Sequence, residues 1–149
     1  MTLKALRTAF TVSNMDRSIA FYTQALGFQL LYDKVRDGAS FEMMLGIPRA
    51  RLRVAALQDS AGSDHLLELV EYSIPKSQPH RPEFAEVGSA NVCYIVDDIQ
   101  SVFERIKAAG AKYVNPPGDY VREGKFMGKI MFALDPDGIP VGLFEPVKS

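Results

Sequence analysis

The sequence offers few side chains that could carry out chemistry, and the acid Glu68 is the leading candidate. Glu68 lies in an apolar run, where a carboxyl group can serve as a general acid or base. A fixed cation such as Arg7 could pair with that carboxylate or stabilise an oxyanion. The only cysteine, Cys93, would need a neighbouring base to act as a nucleophile. No histidine is predicted beside Cys93, so we expect a small buried residue there.

Two segments of the chain repeat the same plan of strand, polar stop and helix, and such repeats indicate duplicated structural units. The matching residues are Val12 with Val96 (96 − 12 = 84), Asn14 with Asp98 (98 − 14 = 84) and Met15 with Ile99 (99 − 15 = 84). The glycines that end the two helices, Gly27 and Gly110, lie one residue closer (110 − 27 = 83). One helix is therefore predicted to be a residue longer than the other.

The ends of the two halves also repeat. HLLELVEY, from His65, resembles GIPVGLFEP, from Gly138, and this places Glu71 opposite Glu145 (145 − 71 = 74). The same offset places Glu68 opposite Gly142 (142 − 68 = 74). The two-fold repeat thus predicts four equivalent positions, which are Arg7, Glu68, Asn91 and Gly142.

Hydrophobic periodicity and turn residues divide the chain into two modules, residues 1–72 and 89–149, joined by a proline-rich linker at 73–88. In module one the pattern predicts strands at 3–12, 28–35, 40–45, 51–58 and 66–72, and a helix that ends at Gly27. In module two it predicts strands at 89–96, 111–114, 129–134 and 141–144, a helix that ends at Gly110, and a loop at 116–120.

Composition limits the class of partner. The 149 residues carry a formal net charge of −1, which gives no basic surface for nucleic acid or an anionic membrane. No apolar run reaches the roughly 18–20 residues that a bilayer-spanning helix needs, and the N-terminus lacks a signal-peptide pattern. One cysteine allows no internal disulfide. We therefore expect a cytoplasmic protein without nucleic-acid or membrane partners.

Four motifs, VSNMDRSIAFYTQALGF, LLELVEY, NVCYIVDDI and ALDPDGIPVGLFEP, resemble the vicinal oxygen chelate superfamily. That superfamily includes glyoxalase I, extradiol dioxygenases, methylmalonyl-CoA epimerase, fosfomycin-resistance enzymes and bleomycin-binding proteins. The resemblance covers nearly the whole chain. It implies an α+β fold in which two βαβββ modules form curved mixed sheets that enclose a cleft.

The resemblance also implies where a metal would be held. In metal-dependent members, four side chains on the first and last strands of each module bind a divalent ion and are usually His, Glu or Gln. The corresponding positions here are Arg7, Glu68, Asn91 and Gly142, and only Glu68 keeps a residue of that kind. Guanidinium offers no lone pair and glycine has no side chain, so we expect no metal and no other cofactor.

Two histidines remain as possible ligands. His65 has the opposite parity to Glu68 on its strand and should point to the other sheet face, while His80 lies in the linker. By the same parity, the ligand-binding surface is expected to include Thr11, Val70, Asn91, Cys93, Gly142 and Phe144. If the alignment of Arg7 slips by one residue onto Thr8, Arg7 faces solvent instead.

Three functions follow from the resemblance. The first is metal-independent binding of a small, largely apolar organic molecule, as in bleomycin-binding members. The second is a metal-free isomerase, lyase or cyclase that uses Glu68 as acid or base and Arg7 as an oxyanion partner. The third is a metal-dependent lyase or dioxygenase, which the missing ligands disfavour. A homodimer is expected for any of the three.

Overall fold

Nine strands and three α-helices form the chain, and the computed structural model describes all 149 residues. The strands are β1 (Arg7–Thr11), β2 (Gln29–Arg36), β3 (Arg51–Gln58), β4 (Leu66–Ile74), β5 (Val92–Ile95), β6 (Lys112–Tyr113), β7 (Gly118–Arg122), β8 (Lys125–Leu134) and β9 (Pro140–Pro146). The helices are α1 (Met15–Ala20), which a π-helical turn over Phe21–Ala25 continues, α2 (Ala39–Leu45) and α3 (Ile99–Ala108).

The strands form two separate sheets. Sheet one has the order β1-β4-β3-β2, with β1 parallel to β4 and the other neighbours antiparallel. Sheet two has the order β5-β9-β8, with β5 parallel to β9 and with both β6 and β7 paired to β8. The chain divides into two compact units, residues 1–23 with 27–80 and residues 24–26 with 81–149. The predicted α+β class with two repeated modules is confirmed.

Both main helices begin in the same way, as the repeat predicts. The Asn14 side chain accepts a hydrogen bond from the Arg17 N–H at 3.0 Å, and the Asp98 side chain accepts one from the Ser101 N–H at 3.0 Å. These side chains satisfy backbone donors that a helix start leaves without a partner. Asn14 and Asp98 are therefore equivalent N-caps.

A second acceptor reaches each helix start from the last strand of the same sheet. A carboxylate oxygen of Glu71 on β4 accepts the Met15 N–H at 2.9 Å, and one of Glu145 on β9 accepts the Ile99 N–H at 2.8 Å. Both carboxylates also lie at the positive end of a helix dipole. The offset of 74 residues read from the tails thus marks two equivalent tertiary contacts.

The extra residue of the first helix has a specific place in the structure. It is accommodated by the π-helical turn after α1, since a π turn holds one more residue than an α turn. Gly27 and Gly110 then take left-handed conformations, with φ of 75° and 68°. Glycine adopts this region without the steric penalty of a Cβ, which explains why both helices end there.

The core of each unit lies between its sheet and its long helix. α1 packs against β3 and β4, and α3 packs against β8 and β9. The fully buried side chains that make these layers include Met15, Tyr22, Leu57, Leu67, Leu69, Ile99, Ile106, Met131 and Val141. The opposite faces of the sheets carry three of the four positions that the repeat predicts, Arg7, Glu68 and Gly142, and Asn91 lies one residue before β5.

The strand predicted at 40–45 is wrong, because this segment is helix α2. Gly38 precedes the helix with φ of 98°, and Gly46 ends it in the left-handed conformation at φ 67°. Phe41 and Leu45, four residues apart, pack against a buried cluster of Ala50, Leu52, Val54 and Val70. A six-residue apolar run is compatible with the periodicity of a strand and with that of a helix, and packing against this cluster stabilises the helix.

The loop predicted at 116–120 is also wrong, because Gly118–Arg122 forms β7 and pairs with β8. The two strands are joined by Glu123 and Gly124, which both have positive φ, at 51° and 75°. Two consecutive residues in this region form the tight hairpin turn that matches strand twist. Pairing with β8 therefore overrides the turn signal of the preceding prolines.

Arg53 on β3 joins sheet one to the start of α1. Its guanidinium contacts both carboxylate oxygens of Asp33, at 2.8 and 2.6 Å, and Asp16 at 2.8 Å. The hydrogen bond from Arg53, with its positive charge, holds the pKa of Asp33 below its ordinary value despite partial burial. The group is therefore structural, and Arg53 is not available to bind an anionic ligand.

We expect Arg53→Met to lower the free energy of unfolding by about 1 kcal/mol at neutral pH, because Asp33 loses its hydrogen-bonded cation. A carboxyl with a depressed folded-state pKa stabilises the fold above its unfolded pKa, and loses that contribution as pH falls through the folded value. The difference between the proteins should therefore shrink below about pH 4.

Urea unfolding at about pH 7 and about pH 3 measures this effect. Arg51→Met is the matched control, since Arg51 meets only the exposed Asp37, at 3.4 Å. Equal losses in the two variants at neutral pH would contradict the role given to Arg53.

No helix in the chain combines the length and the apolar character that crossing a membrane requires.

Candidate functional site

Arg7 and Glu68 form an ion pair on one face of sheet one. The Arg7 Nε lies 3.3 Å from Glu68 Oε1, and the two side chains are 43% and 14% exposed. Arg7, Ala9 and Thr11 alternate with Thr8 and Phe10 along β1, so they share a face, and β1 pairs Ala9 with Glu68. The alternative in which Arg7 turns away from Glu68 is therefore wrong. We call this surface the acid face.

Small side chains flank the carboxylate on the acid face. Glu68 is paired with Ala9 on β1 and with Ala56 on β3. Tyr32 is paired with Ala56 on the next strand, and the Arg36 guanidinium lies 6.0 Å from the centre of its ring. The acid thus stands between two methyl groups, with an aromatic residue beyond one of them. The alternation of side chains along β1 places Ala9 on this face, but only the register of β3 reveals Ala56 and Tyr32.

Thr11 and Val70 follow Ala9 and Glu68 on the same face but differ in accessibility. Thr11 is exposed, whereas Val70 is buried in the cluster that α2 covers. The helix was not predicted, so its effect on Val70 could not be foreseen. Val70 therefore packs in the core rather than at an open surface, and its contact with a ligand stays a prediction.

The histidines lie away from Glu68. His65 Nε2 is 2.8 Å from the hydroxyl of Thr8, whose side chain lies on the other side of β1 from Arg7. His80 is exposed in the segment after β4. Neither imidazole therefore joins the acid face, as the parity of His65 predicts.

In sheet two, Cys93 and Gly142 are direct partners in the register of β5 and β9. A Cβ on Gly142 would lie 2.9 Å from Cys93 Sγ, 3.1 Å from Cys93 Cβ and 3.1 Å from Phe132 Cε1. These distances are shorter than ordinary contacts between carbon or sulphur atoms. The space that a side chain at 142 would need is therefore already filled. We call this surface the thiol face.

The expectation of a buried cysteine is wrong, because Cys93 is exposed. Partial burial still raises the pKa of its thiol above the ordinary value. A raised pKa lowers the thiolate fraction and hence the reactivity of the group. Cys93 thus lines the thiol face without the features of an activated nucleophile.

The thiol face also carries aromatic residues that the sequence analysis did not select. Phe84, from the segment before β5, meets Phe132 edge to face at 5.0 Å between ring centres. Tyr120 on β7 meets the predicted residue Phe144 in the same manner at 5.9 Å. The parity of β8 could have identified Phe132, but nothing local marks Phe84 or Tyr120. Asn91 is exposed, one residue before β5.

The donor set does not fit a divalent metal ion of the kind that the sequence resemblance implies. Glu68 is paired with Arg7, whose guanidinium cannot coordinate a metal. Gly142 has no side chain and no room for one, and an Asn91 amide oxygen is a weak ligand for a transition metal. Nowhere in the chain do three His, Cys, Asp or Glu side chains come close enough to hold an ion.

Comparison with known proteins gives consistent matches. The model of the Glyoxalase/Bleomycin resistance protein/Dioxygenase superfamily matches residues 4–143. A probable lactoylglutathione lyase of Vibrio parahaemolyticus is 30% identical over 144 residues, which are 95% of this chain and 90% of that protein. A probable chloroplastic lactoylglutathione lyase of Arabidopsis thaliana is 32% identical over 95% of this chain. A 2-epi-5-epi-valiolone epimerase of Actinomyces sp is 27% identical over 80% of it. This chain spans 35% of the chloroplastic relative and 66% of the epimerase.

Solved structures show the same fold. A glyoxalase family protein from Bacillus cereus superposes with a TM-score of 0.86 at 19% identity, over 99% of this chain and 97% of that one. A glyoxalase I variant from Zea mays superposes with a TM-score of 0.65 at 23% identity, over 97% of this chain and 45% of that one. At these identities the likeness concerns the fold alone.

Proposed function

The chain belongs to the glyoxalase/bleomycin resistance protein/dioxygenase superfamily, as its motifs predicted, and we propose that it binds a small, largely apolar organic molecule without a metal ion. The observation that carries this proposal is the Arg7–Glu68 ion pair. It places a protein cation beside the one acid that remains from the family's ligand set.

The Arg7–Glu68 ion pair can serve as a polar anchor for a ligand within an apolar surface. A guanidinium and a carboxylate together supply donors and acceptors without net charge, so a neutral ligand can hydrogen-bond to the pair. Ala9 and Ala56 leave space beside the carboxylate. Most binding energy would then come from apolar contact, and the pair would fix orientation.

Metal analysis and ligand screening test the proposal together. Elemental analysis of the purified protein should find no stoichiometric Ni, Zn, Fe or Mn, and EDTA should not change the melting temperature. A thermal-shift screen of small organic molecules should identify ligands whose stabilisation is the same with and without EDTA. A stoichiometric ion whose removal abolishes ligand binding would overturn the proposal.

A second candidate is proton-transfer catalysis at Glu68, as in a metal-free isomerase, lyase or cyclase. Two observations favour it: the Glu68 side chain is only 14% exposed beside Arg7, and one relative is named an epimerase. The Glu68 carboxylate would remove a proton next to a carbonyl group, while Arg7 stabilises the enolate oxygen. The same carboxyl would then return the proton to carbon.

Glu68→Gln separates the two candidates. The substitution keeps the size of the side chain but removes the proton acceptor. With a ligand from the screen in deuterated water, catalysis predicts deuterium incorporation by the native protein and a loss of about 100-fold or more in the variant. Simple binding predicts no incorporation by either protein and similar affinities for the ligand. Glu104→Gln, an exposed change on α3, serves as the control.

A cytoplasmic location and a homodimer remain predictions from the sequence and from the resemblance. Sedimentation velocity over a range of protein concentrations tests the dimer.

A further inference from the structure

Four aromatic rings lie on the thiol face of sheet two in two edge-to-face pairs, Phe84 with Phe132 and Tyr120 with Phe144. Edge-to-face pairing fixes the position of each ring and offers ring faces and edges to a further aromatic group. Aromatic side chains that serve only as core are normally enclosed. Here Phe84 is 50% exposed, and Phe132, Phe144 and Tyr120 are partly accessible.

The central positions of this face, on β5, β9 and β8, carry no charge, and Lys112 on β6 pairs with Leu134 at the edge of the face. The central positions are occupied by Cys93 and Ile95 on β5, Gly142 and Phe144 on β9, and Ile130 and Phe132 on β8. Ile95 is 75% exposed in the whole chain. An accessible surface whose centre consists of these uncharged side chains favours an apolar ligand, because the centre offers no charged partner to an ionised ligand.

The relative positions of Phe132 and Phe144 indicate which kind of ligand group this face can bind. Phe132 pairs with Gly142, and Phe144 is two residues farther along β9, so the two phenylalanines are diagonal neighbours. Diagonal neighbours lie about 7–8 Å apart along the sheet, which is within reach of aromatic side chains, so one ligand group can contact both residues. We infer that the thiol face receives a planar aromatic ring of the ligand.

This inference rests on the proposed binding function, to which it adds the ligand class. An aromatic ring of the ligand can pair with Phe132 and Phe144 edge to face or offset-stacked, an interaction that a saturated ring cannot make. Phe84 and Tyr120 then act as specificity-determining residues, because each holds one of the two inner rings in place.

Competition between matched probes tests the aromatic preference. N-phenyl-1-naphthylamine, a neutral aromatic dye that fluoresces in apolar sites, reports binding to the native chain. We expect 1-naphthol to displace the dye at a concentration about tenfold or more below that needed by its saturated counterpart, decahydro-1-naphthol. Equal competition by the two compounds would overturn the inference.

Substitutions then test the location of the site. Phe84→Ala removes a half-exposed ring outside any helix or strand, so the variant should fold, and Phe132→Leu keeps apolar volume on β8. Each should weaken binding of the dye by about fivefold or more. Phe126→Ala, which removes another exposed ring on β8, is the control. Losses in the control as large as in the two variants would refute the location.

Cys93 provides an independent readout, because it is the only cysteine. Iodoacetamide labelling at alkaline pH, where the thiolate forms despite the raised pKa, should be slowed by 1-naphthol. Unchanged labelling at saturating 1-naphthol would refute contact with this face. If the screened ligands bind without a metal but contain no aromatic ring, the aromatic inference fails while the proposed function stands.

Discussion

Gly142→Glu is expected to lower the free energy of unfolding by about 2–3 kcal/mol, because the new side chain overpacks the thiol face and places a carboxylate among its apolar side chains. The new Cβ alone would lie 2.9 Å from Cys93 Sγ and 3.1 Å from Phe132 Cε1. The Cys93 thiol is exposed and can turn aside, but Cys93 Cβ, at 3.1 Å from the new Cβ, is fixed to β5, and Phe132 is held on β8 by its contact with Phe84. Urea unfolding measures the loss.

Graded variants identify the cause of that loss. Gly142→Ala should cost about 1–2 kcal/mol, because it adds the crowded Cβ without a charge. Cys93→Ala should recover part of this cost, with a coupling energy of about 0.5–1 kcal/mol in the double-mutant cycle. Gly118→Ala is the control, since its Cβ would meet only the Pro116 carbonyl oxygen, at 3.9 Å. A Gly142→Glu protein as stable as the native one would contradict the crowding.

The crowding also bears on function. An acidic side chain at position 142, which the resemblance to the family would imply, would meet Cys93 and Phe132. This crowding supports the proposed binding of a ligand without a metal ion.

Glu71→Ala and Glu145→Ala should each lower the free energy of unfolding by about 2 kcal/mol, since each leaves a part-buried helix N–H without its acceptor. Each carboxylate joins the last strand of one sheet to the first residue of a helix, Met15 or Ile99. Each also loses a favourable interaction with the helix dipole. Similar losses are expected because the two contacts are equivalent in the repeat.

Glu71→Gln and Glu145→Gln keep a hydrogen-bond acceptor. Each should lower the free energy of unfolding roughly half as much as the alanine variant, because the hydrogen bond remains while the charge is removed. Glu104→Ala is the control, since Glu104 is exposed on α3 and pairs with Lys107 within the same helix. Thermal or urea unfolding measures all five proteins. A large loss in one glutamate variant and none in the other would show that the two modules are not energetically equivalent.

The sequence by itself determined the features that depend on near neighbours. Capping by Asn14 and Asp98, helix ends at Gly27 and Gly110, and strand parity at Arg7 are set within a few residues. The offset of 74 residues between the ends of the two halves extended this information, since it predicted that the acids Glu71 and Glu145 are equivalent. The one-residue difference between helices was visible too, although its form as a π turn was not.

Only the tertiary structure decided the features that depend on distant contacts. Residues 40–45 become helical because Phe41 and Leu45 meet a cluster from two other strands, which also buries Val70. β7 forms because β8 lies beside it, and Phe84 reaches the thiol face through a segment without regular structure. A short apolar run and a proline-rich segment carry no local signal strong enough to fix their partners. Their conformations follow from packing energy summed over residues far apart in the chain.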